Sequence, residues 1–515
     1  MKNAFSIFII GLFFSAYYVG LGYYEYSLGF KYLEPLFMSD RLQLLFTNDI
    51  KTLELFYFTY PVISQLITIP AGLIDPLLAP MITSGITVGF FAAYIVVILF
   101  KQKLPIVSVI ITLYFLCSPV IISVATSGTS LYLYLILYYF FFHFLFRYTR
   151  DFTTYNFVIL SLCLTLFVFL NYSFLWMVVF MLPLIFLFSL FNSPGIQKSY
   201  LGIFTELTQS RVTARELVGS SLSTVLVIVF TPLVSLLFFL TINYWFTGDF
   251  MFFSTTKTAS WDQHPFLDFV FYNTSENFID LGTSWDYLSI SILALSPVFL
   301  TAFLIGRKKL LFQLIMLLVP VWILYSKNSN SAVLLSLSDF LIITAAGIAA
   351  FIHFFHTSLL PVFSKSKVLH LITFILLLIN LGGEYFYFTH TYTNQEQNML
   401  AFLKQEKPLN SDATADMADF INKNLPKDAT ILTDNTLFYP TIALSRDHVK
   451  YVDQFDPNYY NALQAPQVHA DYILILNNSK QRDQKDGVKY VVDQTNIELQ
   501  TQYTNTLFSL IQIKK

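Results

Sequence analysis

Eleven apolar runs, each long enough to cross a bilayer, fill residues 4 to about 388. They lie near 4–22, 77–100, 104–122, 129–146, 154–170, 173–191, 221–241, 287–305, 310–325, 339–356 and 370–388. A polar stretch, 391–515, follows with no further run of that length. The expected fold class is therefore a polytopic α-helical membrane protein of about 11 transmembrane helices over residues 1–390. A small soluble α/β domain over 391–515 completes it.

The polar tail carries its own pattern. Ala415 to Ile421 has helical periodicity and ends near Leu425-Pro426. Thr430-Ile431-Leu432-Thr433 reads as a strand, Thr436 to Leu444 as a helix, His448 to Val452 as a strand and Tyr459 to Gln464 as a helix. Asp471 to Leu476 is a continuous apolar run of buried-strand type, and Gln500 to Ile513 closes with one or two more strands.

Charge sets the orientation. With the N-terminus in the cytoplasm, the inner segments hold thirteen basic residues: Lys2, Lys101, Lys103, Arg147, Arg150, Lys198, Arg211, Arg215, Arg307, Lys308, Lys309, Lys365 and Lys367. The outer loops hold five: Lys31, Arg41, Lys51, Lys257 and Lys327. Basic residues collect on the cytoplasmic side, so an odd number of spans places the tail outside. The first run is read as an uncleaved anchor, because Phe14-Ser15-Ala16 is a poor small-residue cleavage site. The expected location is the cell (inner) membrane, multi-pass, with the C-terminal domain extracytoplasmic.

Composition agrees with the class. Only 12% of residues are charged and 55% are hydrophobic, against about 25% charged in soluble domains. The 55 Phe and 32 Tyr suit lipid-facing and interfacial positions. Cys117 and Cys163 both fall in apolar runs, so neither a disulfide framework nor a cysteine metal site is expected. Nothing in the charge pattern points to nucleic acid. The scarcity of ionisable groups within the runs argues against a proton-coupled pump or ion channel.

Three outer segments are too long for simple turns: 23–76, 242–286 and the short polar 326–338. Residues 23–76 contain Tyr32 to Leu36, Ser39 to Leu45 and Leu53 to Phe56, with apolar positions three and four apart. That spacing predicts amphipathic helices lying on the membrane surface, followed by an apolar helix opened by Tyr60-Pro61. Residues 242–286 hold Trp245-Phe246-Thr247-Gly248-Asp249 and Trp261-Asp262-Gln263-His264. The inner loop 192–220 predicts a surface helix around 205–218, and Asp75-Pro76 a helix start capped by the aspartate.

One span, a long acidic outer loop and then Phe58-Thr59-Tyr60-Pro61 with Ile69-Pro70-Ala71-Gly72-Leu73 resemble the start of the GT-C superfamily of polytopic membrane glycosyltransferases. Ser118-Pro119-Val120 through Gly128-Thr129-Ser130, Asn171-Tyr172-Ser173 and Trp245 to Asp249 extend the resemblance over nearly the full chain. It implies a GT-C-like fold and transfer of a sugar from a polyprenyl-phosphate donor to an envelope glycan, lipid or protein acceptor on the outer face. It implies membrane lipid and a polyprenyl-phosphate-linked sugar as partners, and a protein partner at the C-terminal domain.

Such a transfer needs a carboxylate to take the acceptor's proton, and cations or a divalent metal ion to meet the departing phosphate. The first-loop acids Glu25, Glu34, Asp40, Asp49 and Glu54 form the pool. Glu54 and Asp40 are the leading expected catalytic residues, with Asp49 third. Arg41, Lys51, Tyr60, Asp249, Lys257 and Lys327 are the expected substrate-binding residues. Asp249 also suits a plain turn after Gly248, and the other acids suit helix caps.

The chain also departs from the family pattern. Members often carry an Asp-Glu or Asp-x-Asp pair early in the first loop, absent here. Many have an acid opening the fourth span, where this chain has Ser130, and Pro-Pro-Leu where it reads Pro61-Val62-Ile63. These departures motivate the alternative expectation, a catalytically silent GT-C-like subunit acting in envelope assembly or protein docking.

Overall fold

The structure is a computed structural model. It describes residues 2–47, 59–101, 105–150, 153–171, 175–191, 211–261, 336–354, 367–391, 393–410, 412–477 and 498–514, with a few isolated positions between. Ten helices of the apolar region are α1 (Lys2–Ser27), α2 (Leu33–Phe46), α3 (Val62–Gly72), α4 (Ala79–Lys101), α5 (Pro105–Cys117), α6 (Pro119–Thr126), α7 (Leu131–Arg150), α8 (Thr154–Val168), α9 (Leu175–Phe191) and α10 (Arg211–Thr247). Next come α11 (Leu337–Phe354) and α12 (Lys367–Thr389). Among the described residues five helices are long and apolar enough to span a membrane, or six if α5 and α6 form one broken span. The chain is an integral membrane protein.

Every apolar run outside 287–325 coincides with described helix. The runs near 287–305 and 310–325 lie outside the described residues apart from isolated helical positions. The run at 104–122 is not straight: α5 and α6 meet at Ser118 with a 58° bend. Pro119 opens α6, and the Ser118 hydroxyl accepts from the Ile121 amide at 3.1 Å, capping the new helix. Of the surface helix expected near 205–218, residues 205–210 lie outside the described residues, and 211–218 form the start of α10, which runs for 37 residues. At 1.5 Å per residue that is about 55 Å, longer than the ~30 Å hydrocarbon core. The helix expected from Asp75-Pro76 begins at Ala79 instead. Asp75 caps the preceding turn, its carboxylate accepting from the Leu77 amide at 2.9 Å.

Lipid-facing and packed surfaces separate cleanly. Phe5, Phe8, Leu12 and Phe13 of α1, and Leu226, Phe230 and Leu237 of α10, are exposed. Such apolar exposure is stable only against lipid or a partner. The opposite face of α1 packs tightly on α4. A Cβ added at Gly89 would lie 2.5 Å from Ser15 Oγ and 2.6 Å from the Ser15 amide nitrogen. Small residues let helix backbones approach where no hydrophobic drive separates helix from lipid. The central core joins α4 through α7 with α11 around Phe91, Phe115, Tyr139, Phe142 and Phe340.

After α12 the chain forms α13 (Asn394–Leu403), α14 (Asp412–Asn424), β1 (Ile431–Leu432), α15 (Asn435–Ser445), β2 (Tyr451–Val452), α16 (Tyr459–Gln464), β3 (Tyr472–Leu476), β4 (Leu499–Thr504) and β5 (Phe508–Ile513). The strand order is β2-β1-β3-β5-β4: β1 pairs parallel with β2 and β3, and β5 runs antiparallel to β3 and β4. Residues 448–450, expected as strand, form a short 3-10 turn leading into β2.

This C-terminal α/β unit rests on the first loop. The amphipathic helix expected at the membrane surface is α2, and it does not lie open on a surface. Leu33, Leu36 and Phe37 pack with Tyr439 and Ala443 of α15 in one apolar cluster, while Gln43 Nε2 donates to the Ala443 carbonyl at 2.9 Å. The polar face of α2 is covered by protein rather than water.

Candidate active site

The first-loop acids sit in three different settings. Glu25 is not in a loop: α1 runs to Ser27, five residues beyond the expected span, and carries Glu25 in its last turns. Glu34 lies in the first turn of α2 and is 7% exposed. Asp40 lies one and a half turns later, fully buried. Asp49 and Glu54 lie outside the described residues, as do Lys51, Lys327, Asp262 and His264.

Glu34 is held at the start of α7. The α2 helix begins after the extended residue Tyr32, and Pro35 fixes its first turn. Glu34 Oε1 accepts from the Ser130 amide at 3.0 Å and from the Ser130 hydroxyl. Ser130 is placed by a tight turn in which Gly128 adopts φ +72°. A Cβ there would fall 2.9 Å from the Met81 amide nitrogen, so only glycine suits both the angle and the contact. The Ser130 carbonyl accepts from Leu133 and Tyr134, so Ser130 stands at the N-terminus of α7. A carboxylate at that end is favoured by the helix dipole and its unpaired amides. The Ser64 hydroxyl of α3 lies 2.6 Å from that of Ser130. Tyr132 is buried beside this cluster, close enough to feel the charge of Glu34, and among the described residues its hydroxyl has no hydrogen-bond partner. Four segments, α2, α3, the 127–130 turn and α7, thus converge on one carboxylate.

Asp40 and Arg41 form a different structure. Arg41 Nη1 lies 2.6 Å from Asp40 Oδ2 and 3.0 Å from Asn435 Oδ1, and Nη2 donates to the Thr258 carbonyl at 2.7 Å. The guanidinium is sandwiched between the rings of Phe37 and Phe455, 4.5 and 4.4 Å from their centroids. Asn435 Nδ2 donates to Asp40 at 3.2 Å and to Asp453 at 2.8 Å. His448 Nε2 lies 3.5 Å from Asp40 Oδ1 and 3.3 Å from Asp453 Oδ2. Burial raises the Asp40 carboxyl above its ordinary value, against the pull of Arg41 and His448. Burial also lowers His448, but the hydrogen bond and charge of Asp453, aided by Asp40, outweigh it and hold the imidazole above its usual value. Asp40, Arg41, Asn435, His448 and Asp453 are all buried.

The remaining expected binding residues are dispersed. Tyr60 Oη donates to the Val168 carbonyl at 3.2 Å, its amide to the Ala259 carbonyl at 2.7 Å, and its ring packs on Phe253 and Phe239. The peptide bond from Tyr60 to Pro61 is cis. Asp249 accepts from the Met251 amide at 2.9 Å and the Thr255 hydroxyl at 3.1 Å, next to Gly248 at φ +77°. It is a turn cap on an exposed loop. Lys257 is exposed on the turn that follows. The structure therefore brings Asp40 and Arg41 together, and neither with Asp249, which stands apart on the second loop.

Several residues in these clusters were not singled out by sequence: Ser64, Asn435 and His448. Glu384 is another. It is fully buried where α5 meets α6, and accepts from Tyr114 at 2.8 Å, Ser118 at 2.5 Å and Asn380 at 2.6 Å. Among the described residues no group of three or more His, Cys, Asp or Glu side chains is placed to hold a metal ion.

No family model matches the chain, and no curated protein matches it by sequence. Solved structures do match by shape. One is the crystal structure of ArnT from Cupriavidus metallidurans bound to undecaprenyl phosphate. It covers 97% of this chain and 97% of its own length, at a TM-score of 0.51 and 12% identity. At that identity the likeness speaks for architecture, and over almost the whole of both chains it shows that this protein has a GT-C-like fold.

Proposed function

We propose that the protein is a membrane glycosyltransferase that moves a sugar from a polyprenyl-phosphate donor to an envelope glycan, lipid or protein acceptor. The fold it shares with a structure bound to undecaprenyl phosphate supports a polyprenyl-phosphate donor. The observation that carries the reading is Glu34: a nearly buried first-loop carboxylate, aimed by two donors of Ser130, where α2, α3 and α7 converge.

The proposed step is an inverting displacement. The acceptor hydroxyl oxygen attacks the anomeric carbon while the bond from that carbon to the phosphate oxygen breaks. The hydroxyl proton passes to the Glu34 carboxylate, and polyprenyl phosphate leaves with the bonding electrons. Ser130 holds the carboxylate in one direction before the acceptor arrives, which removes reorganisation from the step. The departing phosphate needs positive charge. Lys51, Lys257 and Lys327 are the proposed loop cations, and a bound divalent cation would supply the same chemistry.

Asp40 and Arg41 are assigned a different part. Their side chains pair with each other, with the second loop and with the C-terminal unit, so we read them as the joint that fixes α2, and with it Glu34. The C-terminal unit then serves the site by clamping the first loop. In this reading the clamp, the first loop and the reaction share the extracytoplasmic face.

The test is direct. The purified chain in liposomes is given polyprenyl-phosphate-linked sugars with the sugar radiolabelled, together with membrane extract as acceptor. Label passing into an acceptor, with matching release of polyprenyl phosphate, is the expected result. Label that stays on the donor across a panel of hexosyl and pentosyl donors contradicts the reading.

A further inference from the structure

Ser64 lies in the first turn of α3, fully buried, with its Oγ 2.6 Å from that of Ser130. The distance alone leaves open which hydroxyl donates. The other partner of Ser130 decides it. Glu34 Oε1 accepts both the amide and the hydroxyl of Ser130. A serine hydroxyl has one proton to give and two lone pairs to receive with. The Ser130 proton goes to the carboxylate, so between the two serines Ser64 donates and Ser130 accepts. The chain therefore runs one way, from Ser64 to Ser130 to Glu34. Linked hydrogen bonds polarise one another, so a hydroxyl that accepts is a stronger donor in turn.

The start of α3 is fastened from outside this chain of hydroxyls. The Tyr60 amide donates to the Ala259 carbonyl at 2.7 Å, and Tyr60 pairs with Ser260 in an isolated parallel bridge. Tyr60 Oη donates to the Val168 carbonyl at 3.2 Å, and the Ile63 amide to the Phe169 carbonyl at 3.4 Å. The second loop and the end of α8 thus hold the residues on either side of Pro61, and Ser64 follows within one turn. Its hydroxyl is presented to Ser130 by backbone that is pinned twice.

We propose that Ser64 is a positioning residue for the proposed base: by donating to Ser130 it makes Ser130 the stronger donor, and so keeps the Glu34 carboxylate charged and fixed in direction. As a role in catalysis this rests on the transfer reading; as an influence on Glu34 it stands without it.

The experiment uses the full chain in detergent and two readouts. The first is labelling of Glu34 by dicyclohexylcarbodiimide, which attacks the protonated carboxyl, followed against pH by peptide mass spectrometry with no sugar present. The second is kcat and donor KM for transfer from radiolabelled donor. A hydrogen bond to the charged form of an acid favours that form, so its weakening makes the group easier to protonate. Ser64→Ala is expected to raise the pH midpoint of labelling by about half a unit, and to lower kcat by about three-fold with donor KM unchanged, the low end of one hydrogen bond. Ser64→Thr, which keeps the hydroxyl, is expected to restore both. In a Ser130→Ala background Ser64→Ala is expected to add nothing, because the link through which it acts is gone. An unmoved midpoint in Ser64→Ala overturns the proposal, as does a shift of the same size in the Ser130→Ala background. If Ser64→Ala does not fold, Ser64→Cys, close in size and a weaker donor, decides the matter: a raised midpoint supports the proposal and an unmoved one overturns it. A shifted midpoint in a protein that transfers no sugar sinks the transfer reading and leaves the role of Ser64. Transfer with an unmoved midpoint does the reverse.

Discussion

Arg41 Nη1 lies 3.0 Å from Asn435 Oδ1, joining the first loop to the C-terminal α/β unit across 394 positions of sequence. Through that contact, and through Thr258 on the second loop, one guanidinium ties three distant segments together.

Removing it leaves Asp40 buried with one fewer counter-charge. Arg41→Met is expected to destabilise the protein by about 3–5 kcal/mol, the usual cost of stranding a buried charge. Adding Asp40→Asn should recover part of the loss, because the stranded carboxylate is gone. Thermal unfolding in detergent, read by intrinsic fluorescence, checks both. Equal melting points for wild type and Arg41→Met would show that the joint carries no load.

The same joint sets a pH dependence. The folded pKa of His448 is raised above the ordinary imidazole value of about 6.5. A raised imidazole pKa contributes stability fully below the unfolded value, and that contribution is lost as pH rises through the folded one. The groups facing it are Asp40 and Arg41 from α2, Asp453 after β2 and Tyr451 beside it. Wild type should lose melting temperature on going upward from pH near 6.5, and His448→Gln should lose less over the same range. Parallel curves for the two proteins contradict this account.

Gly89 tests the α1–α4 contact. An added methyl meets the Ser15 backbone, which cannot move aside. Gly89→Ala is expected to cost about 1–3 kcal/mol by overpacking, and Gly89→Leu to prevent folding. Gly219, whose Cβ position is open, is the control, and Gly219→Ala should be tolerated. Yield of monodisperse protein after detergent extraction reports the outcome.

Glu384 tests the α5–α6 break. Glu384→Leu would leave Tyr114, Ser118 and Asn380 without their acceptor, at about 1–3 kcal/mol for each buried group. Glu384→Gln keeps one acceptor oxygen and should cost less. The order wild type, Gln, Leu in unfolding temperature is expected; a Leu variant as stable as wild type refutes the role.

The apolar helices were legible because uninterrupted runs such as 77–100 admit only one economical structure in lipid. Most of the tail was legible too, since Ile431, Tyr472 to Leu476 and Phe508 to Ile513 carry strand patterns of ordinary length. The burial of α2 was not. Periodicity marks a polar face, and it cannot say whether water or another segment covers that face. Asp40 was read as accessible for this reason, and its partners Asn435 and His448 lie about 400 positions away. Nothing local marks Glu384 as a buried acceptor, because its donors Tyr114 and Ser118 are 270 and 266 positions distant. Ser130 was noticed only as a missing acid. That it supplies the donors which aim Glu34 is a fact of register between α2 and α7.

The most direct test of the central claim is the single-turnover rate of sugar transfer by Glu34→Gln, measured from radiolabelled donor with donor binding followed in parallel. The account predicts a fall of about 10²–10⁴, the range for a lost general base, with donor affinity unchanged. Transfer by Glu34→Gln at the wild-type rate would contradict it.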